Sequence, residues 1–360
     1  MAESAQVPHP KEKPAEQVAV TSASYEKCLS LIEPAAAAVF GADPRVRALG
    51  IAPHPEGLFG FAATRNVQAI LPQGVPEAQP VRRFETIPVT YNETFGELSC
   101  LTMAPALPLT ATQVPETLTV RPLVCGLQIQ NHDYGLRTAF LPPYGMSIGT
   151  LGCLVQDDSG SLFILSNTHV LAPGNQGQPG DAILQPGTTA TAYTPPERIA
   201  RLKRFIPIQP SPVNADPSQG NAVLNEVDAG IAELEPGIGA SSGFLPHRRL
   251  IPASGTNVPD LMKPLVWKVG RTTGLTLGEI KKSATIVGPI AYPGIGLCWF
   301  RNAIEISDPV GTHFSNNGDS GSAILNRDGE VIGLLFAGNG DVTYACPIES
   351  VLSALGVGIA

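Results

Sequence analysis

Asn317-Gly318-Asp319-Ser320-Gly321-Ser322 runs directly into the apolar stretch Ala323-Ile324-Leu325. Glycine reaches backbone angles that other residues resist and lets another chain approach the main chain closely. A serine framed by glycines at the start of an apolar strand is therefore well placed to act as an exposed nucleophile. Two upstream segments suit the same chemistry. Ser166-Asn167-Thr168-His169-Val170 follows the apolar run Leu162 to Leu165, and Asp228-Ala229-Gly230-Ile231-Ala232-Glu233-Leu234 opens another. A serine hydroxyl becomes a useful nucleophile only when a neighbouring base takes its proton. His169 is the candidate base and Asp228 the candidate group that orients it.

Each of the three has a plainer reading when taken alone. Asn, Gly, Asp and Ser are all turn formers, a histidine at a strand end can bond to backbone, and an aspartate can sit at a strand edge. Together they occur in the order His, Asp, Ser, separated by 59 and 92 residues, each beside strand-like sequence. That combination favours a catalytic triad.

On these residues the chain resembles the chymotrypsin-like (trypsin-fold) serine peptidases. The resemblance rests on Thr168-His169, Asp228-x-x-Ile231-Ala232-x-Leu234 and Gly318-Asp319-Ser320-Gly321. Glu330 to Gly338 and the closing Pro347 to Leu352 resemble the strand and last helix that follow the nucleophile in that family. Ser-Asn-x-His-Val and Gly270-Arg271-Thr272-Thr273-Gly274-x-Thr276-x-Gly278 are similar to disulfide-poor bacterial members and to the plant narrow-leaf type of trypsin-like protein. The resemblance implies a mainly β fold of two orthogonal six-stranded β-barrels. It implies a triad of His169, Asp228 and Ser320 in the cleft between them, and an oxyanion hole made by the N–H groups of Gly318 and Ser320. It also implies a primary pocket with Phe314 at its base and Phe336, Ala337 and Gly338 along its far wall, with Asn317 or His313 as alternative polar contacts. In animal trypsins the aspartate before the serine pairs with a freed amino terminus. Here Asp319 needs another donor, for which backbone N–H groups and Arg271 are the candidates.

Composition agrees with many short strands. The 360 residues include 37 Gly and 35 Pro, 43% are hydrophobic and only 15% charged, which favours turns and strands over long helices. A net charge of −8 argues against a nucleic-acid partner or an anionic membrane surface, because phosphate binding needs basic surface. No cluster has metal-ligand spacing, and no cofactor is implied. The expected partner is a protein or peptide substrate, and homo-oligomerisation stays open. Cys28, Cys100, Cys125, Cys153, Cys298 and Cys346 form no Cys-x-x-Cys pair. With no secretory signal in Met1 to Ala19, free thiols and a cytoplasmic location are expected.

Three regions are expected along the chain: a disordered tail over 1–20, an α/β regulatory or assembly module with a linker over 21–135, and the peptidase domain over 136–360. In the module, Tyr25–Phe40 reads as a helix interrupted by Pro34, followed by strands at Val46–Ile51, Leu58–Ala63 and Phe84–Tyr91. Met103–Pro122 reads as the linker. Hairpins are expected at Val155–Leu162 and at Ile324–Val331, the latter turning on Asp328-Gly329. The stretch Ala172–Asn221 holds nine Pro and one strand candidate, Arg198–Ile208. Two other readings compete with the endopeptidase: a non-enzymatic scaffold on the same fold, and an esterase.

Overall fold

The computed structural model describes residues 15–55, 58–69, 79–101, 119–138, 147–187, 197–244, 251–252, 255–309 and 313–360. Most of the expected linker and the first fourteen residues lie outside that set. The fold is mainly β, and its strands form two closed rings.

The first ring contains Gln128–Asn131, Leu162–Ser166, Ala182–Gln185, Glu197–Phe205, Gly230–Leu234 and a bent strand made of Ile148–Thr150 and Cys153–Gln156. Cys153–Gln156 and Ile148–Thr150 lie at opposite ends of the pairing path, apart from a short flanking strand at Gly358–Ile359. Only Leu151 and Gly152 separate them in the chain, so the sheet closes on itself and its edges disappear. The second ring runs Leu265–Gly270, Gly274–Tyr292, Gly296–Ser307, Thr343–Pro347, Val331–Gly338, Ala323–Asn326 and back to Leu265–Gly270. Both expected hairpins are present, with Leu162 opposite Gln156 and Leu325 opposite Val331. This is the trypsin-like architecture of two six-stranded barrels.

Two of the strands correct the sequence reading. Gln128–Asn131 lies before the expected boundary at residue 136, yet it pairs with both Ala182–Gln185 and Ile148–Thr150 and so completes the first barrel. Ala182–Gln185 sits in the stretch read as a long loop. Both are fully buried.

The amino-terminal helix spans Ala15–Ala42 and takes in the last residues of the expected tail. Cys28, Ala35, Ala36, Val39 and Phe40 are buried and fall on one helical face. Pro34 does not break the helix and lies on the exposed side. The ring of Phe40 meets that of Trp299 edge-on, with centroids 5.2 Å apart. Val46–Pro53 pairs with Gly274–Tyr292, then Phe59–Asn66 and Ile87–Thr94 follow in order. The helix-and-strand module thus continues the sheet of the second barrel.

A buried polar network fastens that junction. Lys282 Nζ hydrogen-bonds Glu305 Oε1 and Thr64 Oγ1. Glu305 Oε2 accepts from Thr64 Oγ1 at 2.9 Å and from the Tyr344 hydroxyl at 2.8 Å. Burial pushes Lys282 below the usual lysine range, against the pull of Glu305. Removing one partner of a buried pair strands the other charge, which typically costs about 3–5 kcal/mol. Glu305→Ala is therefore expected to lower the urea unfolding midpoint sharply, while Thr64→Val lowers it far less. Equal, small shifts in both would show that the pair does not anchor the module.

All six cysteines are free and buried. Burial pushes the thiols of Cys125 and Cys298 up to about 12, so they are poor nucleophiles at neutral pH. Thiol counting in denaturant without reductant should return close to six per chain. A count of two would mean disulfides and an oxidising compartment.

Candidate active site

Three segments meet where the barrels adjoin. His169 follows strand Leu162–Ser166 on a short helical turn, Thr168–Leu171. Asp228 precedes strand Gly230–Leu234, which pairs with Leu162–Ser166. That pairing sets the two side by side. The Thr168 hydroxyl donates to Ala229 O at 2.9 Å and Asn167 Nδ2 donates to Asp228 O at 2.7 Å.

His169 Nδ1 hydrogen-bonds Asp228 Oδ2, and Asp228 Oδ1 accepts from His169 N–H at 3.2 Å. Both side chains are buried. The Tyr292 hydroxyl donates to Asp228 Oδ2 at 3.0 Å, from the second barrel, and its ring meets the His169 ring edge-on. Burial, with Asp228 beside it, pushes the Tyr292 phenol well above its usual range, so it remains a donor. Nothing in the local sequence marks Tyr292, which lies 64 residues from Asp228.

Ser320 comes from the loop before strand Ala323–Asn326. Gly321, at φ +90°, lies so close to Ser166 Oγ and Thr150 O that any side chain would collide with them. Strand Ile148–Thr150 and the residue before it bridge the serine and histidine segments: Thr150 N–H donates to Ser320 O at 2.8 Å, and Ser147 Oγ to His169 O at 2.6 Å. Ser320 Oγ and His169 Nε2 are both buried and neither has a hydrogen-bond partner. The structure thus joins His169 to Asp228 directly and brings Ser320 to the same junction without a bond to the histidine.

Asp319 is held from several sides. Its Oδ1 accepts from Thr272 N–H at 2.8 Å and Thr273 N–H at 3.2 Å. Its Oδ2 accepts from the Thr273 hydroxyl at 2.7 Å and from Asn316 N–H at 3.0 Å. Lys268 Nζ lies 3.5 Å from Oδ2, fully buried, and 5.6 Å from the centre of the Phe314 ring. Backbone N–H groups therefore serve as expected, and a buried lysine amine supplies the positive charge. Arg271 is not a direct hydrogen-bond donor to Asp319. It bonds Gln128 Oε1 and Thr272 Oγ1, and burial lowers its pKa despite Asp319 nearby.

Phe314 is buried in the apolar cluster that fills the second barrel, with Ile304 and Leu335. Phe336 turns away into the other cluster and packs on Phe300 at 4.6 Å. Ala337 and Gly338 continue the same buried strand. Asn317 is partly exposed, and its carbonyl accepts from Thr272 Oγ1. His313 is exposed and bonded through Nδ1 to Gly340 O at 2.8 Å. Asp216, another carboxylate in the interval between His169 and Ser320, accepts from Ser218 N–H as a cap.

A segment from the amino-terminal half enters the same place. Cys100 pairs antiparallel with Ala337, and Ser99 with Gly338. Leu101 N–H donates to Phe336 O at 3.4 Å, and Leu101 O accepts from Gly318 N–H at 2.5 Å. Leu101 joins the buried cluster that contains Phe314.

No family model matches the chain, and no curated protein matches it. Several solved structures are similar. Protease A of Thermobifida fusca is 14% identical with a TM-score of 0.43, over 66% of this chain and 98% of that one. Nocardiopsis protease is 15% identical, at 0.43, over 66% and 98%. A glutamic acid-specific serine protease described as using a histidine triad in substrate binding is 17% identical, at 0.44, over 66% and 100%. The narrow-leaf likeness finds no support in these comparisons. The strand order of the two barrels is what defines the chain as trypsin-like in fold.

Proposed function

We propose that the chain is a serine endopeptidase that works through an acyl-enzyme, with Ser320 as nucleophile, His169 as base and then acid, and Asp228 as its orienting partner. The observation that carries this reading is the His169–Asp228 bond with two unpartnered polar atoms, His169 Nε2 and Ser320 Oγ, at the barrel junction. Asp228 accepting at Nδ1 fixes the tautomer that leaves Nε2 to take the serine proton. Tyr292 helps to hold the carboxylate. The N–H groups of Gly318 and Ser320 would stabilise the oxyanion, a contribution of a few kcal/mol per donor, roughly. Labelling with a fluorophosphonate probe, mapped by mass spectrometry, should mark Ser320 alone. An unlabelled serine in folded protein would favour the scaffold reading, whereas labelling with ester but no peptide hydrolysis would favour the esterase.

The proposed substrates are peptides with a small or medium apolar residue on the amino side of the cleaved bond. Phe314 at the pocket offers no charge to pair with a basic side chain, and burying one unpaired is costly. A peptide-library profile should show apolar residues there. Dominant cleavage after Lys or Arg would remove this assignment, and cleavage after Glu would point to His313. We place the enzyme in the cytoplasm, a reading supported by its six free thiols.

A further inference from the structure

We infer that the chain's own segment Leu98–Leu101 is bound in the cleft as a substrate and that the enzyme cuts itself after Leu101. This inference rests on the peptidase reading above. A peptide held in β-fashion adds as an extra strand to an exposed edge, with backbone bonds for affinity and pockets for specificity. Leu98–Leu101 meets that description at every residue. Leu98 O accepts from Ala291 N–H at 3.2 Å on one side. Ser99 and Cys100 pair with Gly338 and Ala337 on the other. Leu101 N–H reaches Phe336 O, and Leu101 O reaches Gly318 N–H.

The last bond decides the register. Gly318 N–H is one of the two donors assigned to the oxyanion hole, and the oxygen it holds is that of Leu101. A donor of this kind must lie within hydrogen-bond reach of the oxygen that becomes negative in the reaction. The carbonyl of Leu101 is thus the one presented for attack. Its side chain follows the same logic. Leu101 is only 3% exposed, it shares a cluster with Phe314, and its Cδ1 lies 3.5 Å from where a Cβ on Gly338 would stand. A branched aliphatic residue therefore fills the pocket that the sequence assigns to apolar side chains.

The chemistry closes with water as the only co-reactant. Ser320 Oγ attacks the Leu101 carbonyl carbon while its proton passes to His169 Nε2. The bond to the nitrogen of residue 102 breaks, and His169 returns the proton to the leaving amine. Water, deprotonated by His169, then attacks the Leu101–Ser320 ester. Leu101 leaves as a carboxylate and Ser320 regains its hydrogen.

Wild type, Ser320→Ala and Leu101→Asp are each incubated near neutral pH. They are then read by intact mass spectrometry in denaturant, with fluorophosphonate uptake as a separate readout. Wild type is expected to resolve into two pieces broken after Leu101. Ser320→Ala should stay whole, and Leu101→Asp should stay whole while taking up the probe. Leu101→Met, which keeps an apolar side chain of similar size, should still be cut. A wild type that takes up the probe yet stays whole, or breaks at another bond, overturns the inference and leaves the peptidase reading standing. A wild type that neither breaks nor takes up the probe overturns both.

Discussion

Ser320→Ala should lose essentially all peptide hydrolysis while keeping its fold. Ser320 sits in a tightly packed loop, but alanine differs from serine only by the hydroxyl, and that hydroxyl has no hydrogen-bond partner to lose. Removing the nucleophile of a triad costs on the order of 10⁶ in kcat, and what survives comes from the oxyanion hole and binding alone. The comparison is turnover on an apolar library peptide, with circular dichroism and the thermal midpoint taken as controls. Wild-type turnover in the folded variant would show that another residue does the chemistry.

Asp228→Asn is expected to lower kcat by roughly 10⁴ with little change in KM, because the amide leaves the imidazole in the wrong tautomer. The residue is wholly buried and accepts from His169 N–H and Tyr292 as well as from the ring. With its oxygen in the place of Oδ1 the amide still accepts from His169 N–H, and its NH2 in the place of Oδ2 can donate to the Tyr292 hydroxyl, so packing should survive. The informative measurement is the kcat against KM split near neutral pH. A variant that retains most of its kcat would mean that the carboxylate is only a scaffold for the loop.

The parts of the site that could be read from sequence are those announced by local chemistry. Ser320 stands out because it is framed by Gly318 and Gly321, whose positive φ favours glycine. His169 and Asp228 stand out because each borders an apolar strand. Tyr292 and Lys268 carry no such mark. Lys268 reaches Asp319 through closure of the second barrel, and Tyr292 reaches Asp228, 64 residues away in sequence, across the junction of the two barrels. Leu101 is more hidden still, since it lies next to a Pro- and Leu-rich stretch and its meaning comes from the strand it joins. The missed strands have a different cause. Ala182–Gln185 is bounded by Pro179 and Pro186, which read as a loop. Gln128–Asn131 is polar by composition but buried, with its side chains met by Gly187 O, Arg271 and Asp181. Alternation of apolar residues cannot reveal a strand whose buried face is hydrogen-bonded.

The position of Leu98–Leu101 in the chain has a consequence for biosynthesis. Ribosomes make proteins from the amino end at about 5–20 residues per second. Leu101 precedes Ser320 by 219 residues (320 less 101), an interval of roughly 10–45 s at that pace. On the proposed reading, each new Ser320 therefore emerges after the segment that occupies its cleft, within the same molecule and at a fixed stoichiometry of one to one. Other nascent or finished proteins nearby meet a site whose first encounter is already taken. No separate inhibitor has to be produced in matching amounts, and the interval during which the cleft stands open to bystanders is set by this molecule alone.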